Sequence, residues 1–391
     1  MSRIDASDSE FSALGCLFSA AWTLLSLPFW IGAFVLAVVG TTMESRLFAA
    51  ALICLLPVPL NFLHWKRGRR RVLTVLLLLA GMGAFIACAL RAPEFKDNPE
   101  ASARLIYQNG TKHSRYSPAN LVPELDQQIL GSYLFALIDP AFGWGQAAEL
   151  RDQFRNVYRD AAEDPELAAL PSVLGFSYQD TLIGRRQIGN LFVYLPDGDE
   201  PKPVILFLHG SLGNFKGYWQ LWKTFAEENN IAIVAPTFGA GNWYNKGGLD
   251  AIANARDYCE DHPRIDAGRI VLAGLSNGGT GVTRAAAATP KAWRGLIFLS
   301  PVLESNIVES EEFANGWGGR SALIITGEKD QRTSAKHIRN VEESMDDIGM
   351  RIQSHYLPKE DHFLVFSDWP RVRTLMASWL RSEKLLSAAD P

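Results

Sequence analysis

The sequence predicts an α/β protein: a mostly parallel sheet covered by helices on both faces, preceded by about three helices able to cross a membrane. Three observations point to it. After Pro171, short β-rich runs alternate with helical segments; before Ala92, three apolar stretches occur with almost no charge; and Arg269 to Ala288 reads as strand, sharp turn and helix, with Ser276 at the apex. Strands alternating with helices form parallel sheets buried on both faces. Ligands in such sheets bind beyond the carboxyl ends of the strands, so the chemistry is sought there.

Composition sets the outer limits. The chain has 391 residues, 48% of them hydrophobic and 20% charged, which is ample for a core and for two or three structural regions. A net charge of −4 without a spread basic face excludes nucleic acid as an expected partner. Cys16, Cys54, Cys88 and Cys259 form no C-x-x-C pair or disulfide framework.

In order, residues 1–91 are expected to be the membrane domain. Phe11 to Met43, Leu47 to Trp65 and Val72 to Leu90 each approach or exceed the ~20 residues a spanning helix needs. Pro28 is positioned to kink the first. Pro57 and Pro59 break the second, which leaves a re-entrant or interfacial segment as its alternative. Lys66-Arg67-Gly68-Arg69-Arg70-Arg71 holds five basic residues in six and belongs in the cytoplasm by the positive-inside rule. The third helix then runs outward and delivers everything after Arg91 to the periplasmic or extracytoplasmic side. The alternative, a signal peptide ending at Ala87-Cys88-Ala89, conflicts with the two apolar stretches that come first.

Residues 92–170 are polar and punctuated by Pro93, Pro99, Pro118 and Pro123, and are expected to be a stalk with some helix. Ile129 to Ile138 is an apolar run, and Gln146 to Ala162 has helical spacing through Leu150, Phe154 and Val157. Asn109-Gly110-Thr111 matches a glycosylation sequon.

Residues 171–391 carry the alternation. Expected strands are Ser172 to Tyr178, Asn190 to Leu195, Val204 to Leu208, Ile231 to Ala235, Ile270 to Ala273, Gly295 to Leu299, Ala322 to Thr326 and Arg351 to Leu357. Helices are expected at Tyr218 to Glu228, Leu249 to Glu260, after Ser276, at Ala335 to Ile348 and near Arg371 to Leu380.

Four strand ends supply a set of reactive groups. Gly274-Leu275-Ser276-Asn277-Gly278 is a G-x-S-x-G turn between strand and helix, which lifts the serine hydroxyl out of a strained backbone. Leu208-His209-Gly210-Ser211-Leu212-Gly213 follows a buried-looking strand; there the Ser211 backbone N–H, with that of Asn277, is expected to form an oxyanion hole. His209 is read as a prop for that loop. Thr326-Gly327-Glu328-Lys329-Asp330 places Asp330 to orient a histidine, with Glu304 as rival and Glu328 and Asp347 as weaker choices. Glu360-Asp361-His362-Phe363 supplies His362 as the base, whereas His262, His337 and His355 are read as packing or surface residues.

The order Ser276, Asp330, His362, with these surrounding motifs, resembles the α/β-hydrolase superfamily, within the prolyl-oligopeptidase, dienelactone-hydrolase and polyester-depolymerase-like group. The further cues are His209-Gly210, the run Arg264-Ile265-Asp266-Ala267-Gly268-Arg269-Ile270 leading into the elbow, and Gly327-Glu328-Lys329-Asp330-Gln331-Arg332. The resemblance covers about Pro203 to the C-terminus and implies the α/β-hydrolase fold.

Aromatic residues leave the same sheet edge. Phe238, Trp243 and Tyr244 are expected to line a substrate pocket, with core packing as the alternative for Trp243; Trp219 and Trp222 lie at helical spacing and are assigned to packing. The resulting expectation is a membrane-anchored serine hydrolase cleaving carboxylic esters through an acyl-enzyme. A peptidase or acyltransferase on the same residues is the alternative within enzymes, and a catalytically silent membrane-tethered binding module the alternative outside them. Expected partners are a small ester or peptide substrate and the lipid bilayer, with no metal and no organic cofactor.

Overall fold

The computed structural model describes residues 6–62, 68–96, 98–107, 114–184 and 188–386. They form two compact units, Met1–Glu94 with Ser114–Phe135 and Phe95–His113 with Ala136–Pro391. The stretch expected as a stalk is therefore divided between both units. The sequon at Asn109 and the first basic-loop residues, Lys66 and Arg67, lie outside the described residues.

The first unit holds α1 (Ala6–Val39), α2 (Met43–Leu55), α3 (Val58–Phe62), α4 (Gly68–Arg91), α5 (Pro118–Leu121) and the start of α6 (Glu124–Ile138). Among the described residues, three helical stretches are long and apolar enough to cross a membrane: Leu14–Val39, Met43–Phe62 and Arg69–Arg91. Leu17, Leu24, Leu25, Leu79 and Leu90 point outward from them, an arrangement that lipid satisfies and water does not. Pro28 sits inside α1 without ending it, whereas the second stretch is divided into α2 and α3 beside Pro57. The start of α2 is held by Asp126, which is fully buried. Its carboxylate accepts from the Thr41 N–H at 2.9 Å, the Thr41 hydroxyl at 2.8 Å and the Ser45 hydroxyl at 2.5 Å. A carboxylate there also complements the positive end of the helix dipole.

The second unit is built on eight strands: β1 (Ala103–Tyr107), β2 (Ile188–Tyr194), β3 (Lys202–Leu208), β4 (Ala232–Phe238), β5 (Ile265–Leu275), β6 (Gly295–Leu299), β7 (Ser321–Gly327) and β8 (Arg351–Leu357). Their order is β1-β2-β4-β3-β5-β6-β7-β8; β2 runs antiparallel to both its neighbours, and β3 to β8 are parallel. This is the α/β-hydrolase fold. Its helices are α7 (Trp144–Glu163), α8 (Pro165–Ala169), α9 (Leu174–Ile183), α10 (Lys216–Asn229), α11 (Gly248–Asp261), α12 (Gly278–Ala288), α13 (Ser305–Val308), α14 (Glu311–Trp317), α15 (Ala335–Asp347), α16 (Leu364–Ser367) and α17 (Trp369–Ser382).

The continuous apolar run of β3 is explained by burial on both faces. Val204, Leu206 and Leu208 join one core with Ile252 of α11, Val282 of α12, Trp317 of α14 and Ile338 of α15. Phe207 turns the other way and packs on Trp222 of α10, the ring centroids 4.8 Å apart. Trp222 in turn meets Trp369 of α17.

Two elements depart from expectation. Ser172 to Tyr178 is not a strand; most of it lies in α9, which Gly184 closes in a left-handed cap at φ 67°. Neighbouring Val173 and Leu174 are both buried, and Phe176 completely, while Tyr178 is exposed; that tertiary burial overrides strand propensity. β1, inside the expected stalk, is an edge strand: Leu105 pairs with Phe192 and Ile106 with Leu191.

Candidate active site

β5 ends at Leu275 and α12 starts at Gly278, so Ser276 and Asn277 make the entire connection. Ser276 has φ 51°, a left-handed conformation that strains any residue with a side chain. Hydrogen bonds on either side hold it there: its N–H donates to Leu299 at 3.0 Å, and its carbonyl accepts from Gly279 at 2.8 Å and Val302 at 2.8 Å. Gly278 is required by proximity, because a Cβ on it would stand 2.1 Å from the Leu208 carbonyl oxygen.

The hydroxyl raised in this way meets the loop after β8. His362 Nε2 lies 2.9 Å from Ser276 Oγ, and His362 Nδ1 lies 2.8 Å from Asp330 Oδ2. With the proton on Nδ1 donated to Asp330, Nε2 is left to accept from the serine. Asp330, after β7, is buried, and its remaining acceptor sites are filled. The N–H groups of Arg332 and Thr333 donate to Oδ1 at 2.8 and 2.9 Å, and the Thr333 hydroxyl to Oδ2 at 2.6 Å. Burial alone would raise the Asp330 pKa, but the bonds from His362 and Thr333 outweigh it and hold the carboxyl below its ordinary value.

The rival acid is engaged elsewhere. Glu304 makes a bidentate pair with Arg284, at 2.5 and 2.7 Å. Glu328 pairs with Arg339, and Asp347 is the last residue of α15. His337 contacts the Leu303 carbonyl, and His355 contacts Gln353.

On the other side of Ser276, Asn277 caps α12, where the first backbone N–H groups have no intrahelical acceptor. Its side-chain amide donates to the Ser211 hydroxyl at 3.0 Å, which ties the elbow to the loop after β3. In that loop Leu212 and Gly213 both have positive φ, 76° and 91°. His209 is fully buried beneath them. Its Nε2 accepts from the Phe238 N–H at 3.1 Å, and its Nδ1 is 2.9 Å from the Gly210 carbonyl, which fixes the Nδ1–H tautomer. Burial lowers its pKa from 6.5 to about 4, so at neutral pH it is an uncharged prop.

The expected pocket aromatics are only partly in place. Phe238 and Trp243 are 2% and 1% exposed and belong to the core, which corrects the expectation for Phe238 and selects the packing alternative for Trp243. The indole N–H of Trp243 donates to the His209 carbonyl at 2.8 Å, so the ring supports the loop after β3. Tyr244, the next residue, is 54% exposed. Trp219 and Trp222 are buried.

α9 is the part of this region that sequence reasoning missed. The Ser177 hydroxyl is 2.6 Å from the Leu212 carbonyl and 3.0 Å from that of Gly239, and Asp180 accepts from the Ala240 N–H at 3.1 Å. A Cβ on Gly213 would stand 1.8 Å from Ser177 Oγ, so the glycine leaves room for α9 to lie on the loop. The signals available were Gly184, as a helix stop, and the glycines at 213 and 239.

No protein-family model and no curated protein matches the sequence. Solved structures are similar to part of it. Est1E from Butyrivibrio proteoclasticus is 17% identical over 50% of this chain and 95% of its own, with a TM-score of 0.42. FphF, a fluorophosphonate-binding serine hydrolase of Staphylococcus aureus solved with substrate bound, is 18% identical over 50% of this chain and 96% of its own, with a TM-score of 0.42. EstE1, a thermostable carboxylesterase cloned from a metagenomic library, is 16% identical over 54% of this chain and 95% of its own, with a TM-score of 0.43.

Proposed function

We propose that this chain is a membrane-anchored serine hydrolase that cleaves carboxylic esters. The observation that supports it above all others is the unbroken contact from Ser276 Oγ through His362 to Asp330, at 2.9 and 2.8 Å, on three separate strand ends. In this reading Ser276 Oγ attacks the ester carbonyl while His362 Nε2 takes its proton. Asp330 stabilises the imidazolium that forms, and the N–H groups of Asn277 and Ser211 receive the oxyanion. His362 then returns the proton to the departing alkoxide, leaving Ser276 acylated; water, activated by the same histidine, releases the acid. The pairing of Glu304 with Arg284 favours Asp330 as the acid.

The experiment is hydrolysis of p-nitrophenyl butyrate by the detergent-solubilised full chain. The parent is expected to turn over, and Ser276→Ala to lose at least about 10³-fold in kcat. Equal turnover by Ser276→Ala sinks the assignment of the nucleophile. A folded but inactive parent favours a silent binding module.

The anchor reading has the three apolar helical stretches in a bilayer, with Arg69 to Arg71, in the first turn of α4, on the cytoplasmic side and the sheet unit outside the cytoplasm.

A further inference from the structure

Residues 139 to 146, the connection after α6 and the first turn of α7, touch the acid loop and the base loop together. Asp139 pairs with the guanidinium of Arg332, whose own N–H donates to Asp330 Oδ1 at 2.8 Å. The Arg332 guanidinium lies 5.6 Å from the Phe142 ring centroid and 5.7 Å from that of Phe363, next to His362. Phe142 and Phe363 are themselves 5.3 Å apart, and Phe142 is 2% exposed. At the start of α7, Gln146 Oε1 accepts from the Gly143 N–H at 3.1 Å, and its Nε2 donates to Asp361 Oδ2 at 2.8 Å. The other oxygen of Asp361 accepts from the Phe363 N–H at 2.9 Å, so the carboxylate reaches across His362.

We propose that Asp139, Phe142 and Gln146 are positioning residues for hydrolysis: a clamp, formed where the chain enters α7, that fixes the Asp330 and His362 loops against each other. The inference rests on the serine-hydrolase reading. His362 comes from a loop, and its two nitrogens must reach Ser276 and Asp330 at once. A misplacement of about 1 Å in such a contact costs about 10²-fold in rate. Gln146 is the most informative member, because one amide both caps α7 and holds Asp361. Its donor faces a carboxylate, so only a side chain that can still donate keeps the base loop in register.

The test compares kcat/KM for p-nitrophenyl acetate in the full-length detergent-solubilised parent, Gln146→Leu, Gln146→Lys and Asp139→Asn, with the melting temperature of each. Gln146→Leu is expected to lose about 10-fold or more. Gln146→Lys, which restores a donor to Asp361, is expected to return to within about threefold of the parent. A merely structural role lowers melting temperature and activity alike in both Gln146 variants; the clamp separates them by activity. Asp139→Asn tests the acid loop independently and is expected to lose about threefold or more. An active parent with Gln146→Leu at the parental rate, or with Lys no better than Leu, overturns the role of Gln146. Asp139→Asn at the parental rate overturns that of Asp139. A folded parent that neither turns over nor reacts with a fluorophosphonate overturns the serine-hydrolase reading and the clamp with it.

Discussion

His209 carries a testable dependence on pH because burial separates its folded and unfolded behaviour. The unfolded chain protonates this histidine near 6.5 and the folded chain near 4. Between those values the unfolded state holds the extra proton, so stability falls as pH drops through the window and this group adds no further slope below it. The full difference is about 3 kcal/mol. Urea unfolding of the second unit from pH 7 to pH 4 is expected to lose that increment, and His209→Gln, with no group titrating there, is expected to be flatter by the same amount; parallel slopes contradict the assignment. At Asp330 the expectation is kinetic. Asp330→Asn keeps the shape but removes the charge that stabilises the His362 imidazolium and fixes its tautomer, so kcat is expected to fall by about 10⁴-fold. Glu304→Gln is expected to stay within about twofold, since its contact is the partly exposed pair with Arg284. Comparable losses in the two variants would return Glu304 to contention.

At the scale of the element, the connection from β5 to α12 was legible because its chemistry is local. Apolar run, G-x-S-x-G turn and small helical residues follow in sequence, and the structure brings Ser276, Asp330 and His362 together as the strand ends imply. What was not legible depends on distant partners. α9 reads as an alternating strand because what holds it lies elsewhere in the sequence: Ser177 bonds the Leu212 carbonyl, 35 positions away, and Phe176 lies against Gly189. β1 was hidden in a polar stretch because its partner is distant in sequence: Tyr107 pairs with Asn190 and Ala103 with Tyr194. Trp243 reads as pocket or packing from its loop position, and its burial together with the bond to the His209 carbonyl decides for packing. The Ser177 contact makes its own prediction. Gly213→Ala puts a Cβ into the Ser177 hydroxyl and onto a positive φ, so it is expected to destabilise by about 1–3 kcal/mol and to lower activity before the fold is lost. An unchanged urea midpoint would show that α9 yields freely at this point.

The whole molecule carries two kinds of element on one chain: apolar helical stretches suited to a bilayer, and an α/β-hydrolase sheet on which Ser276 Oγ meets His362. The basic run Lys66 to Arg71, which leads into the first turn of α4, gives the proposed orientation its direction. Protease added to the outside of intact cells or spheroplasts is therefore expected to cut the second unit, and cleavage only from the cytoplasmic face contradicts that orientation. The central claim is that Ser276 is the nucleophile, and mass spectrometry of the fluorophosphonate-treated full chain tests it most directly. One phosphonyl adduct, mapped to the peptide containing Ser276 and missing from Ser276→Ala, is the expected result. An unmodified, folded parent, or an adduct that persists at another residue in Ser276→Ala, contradicts it.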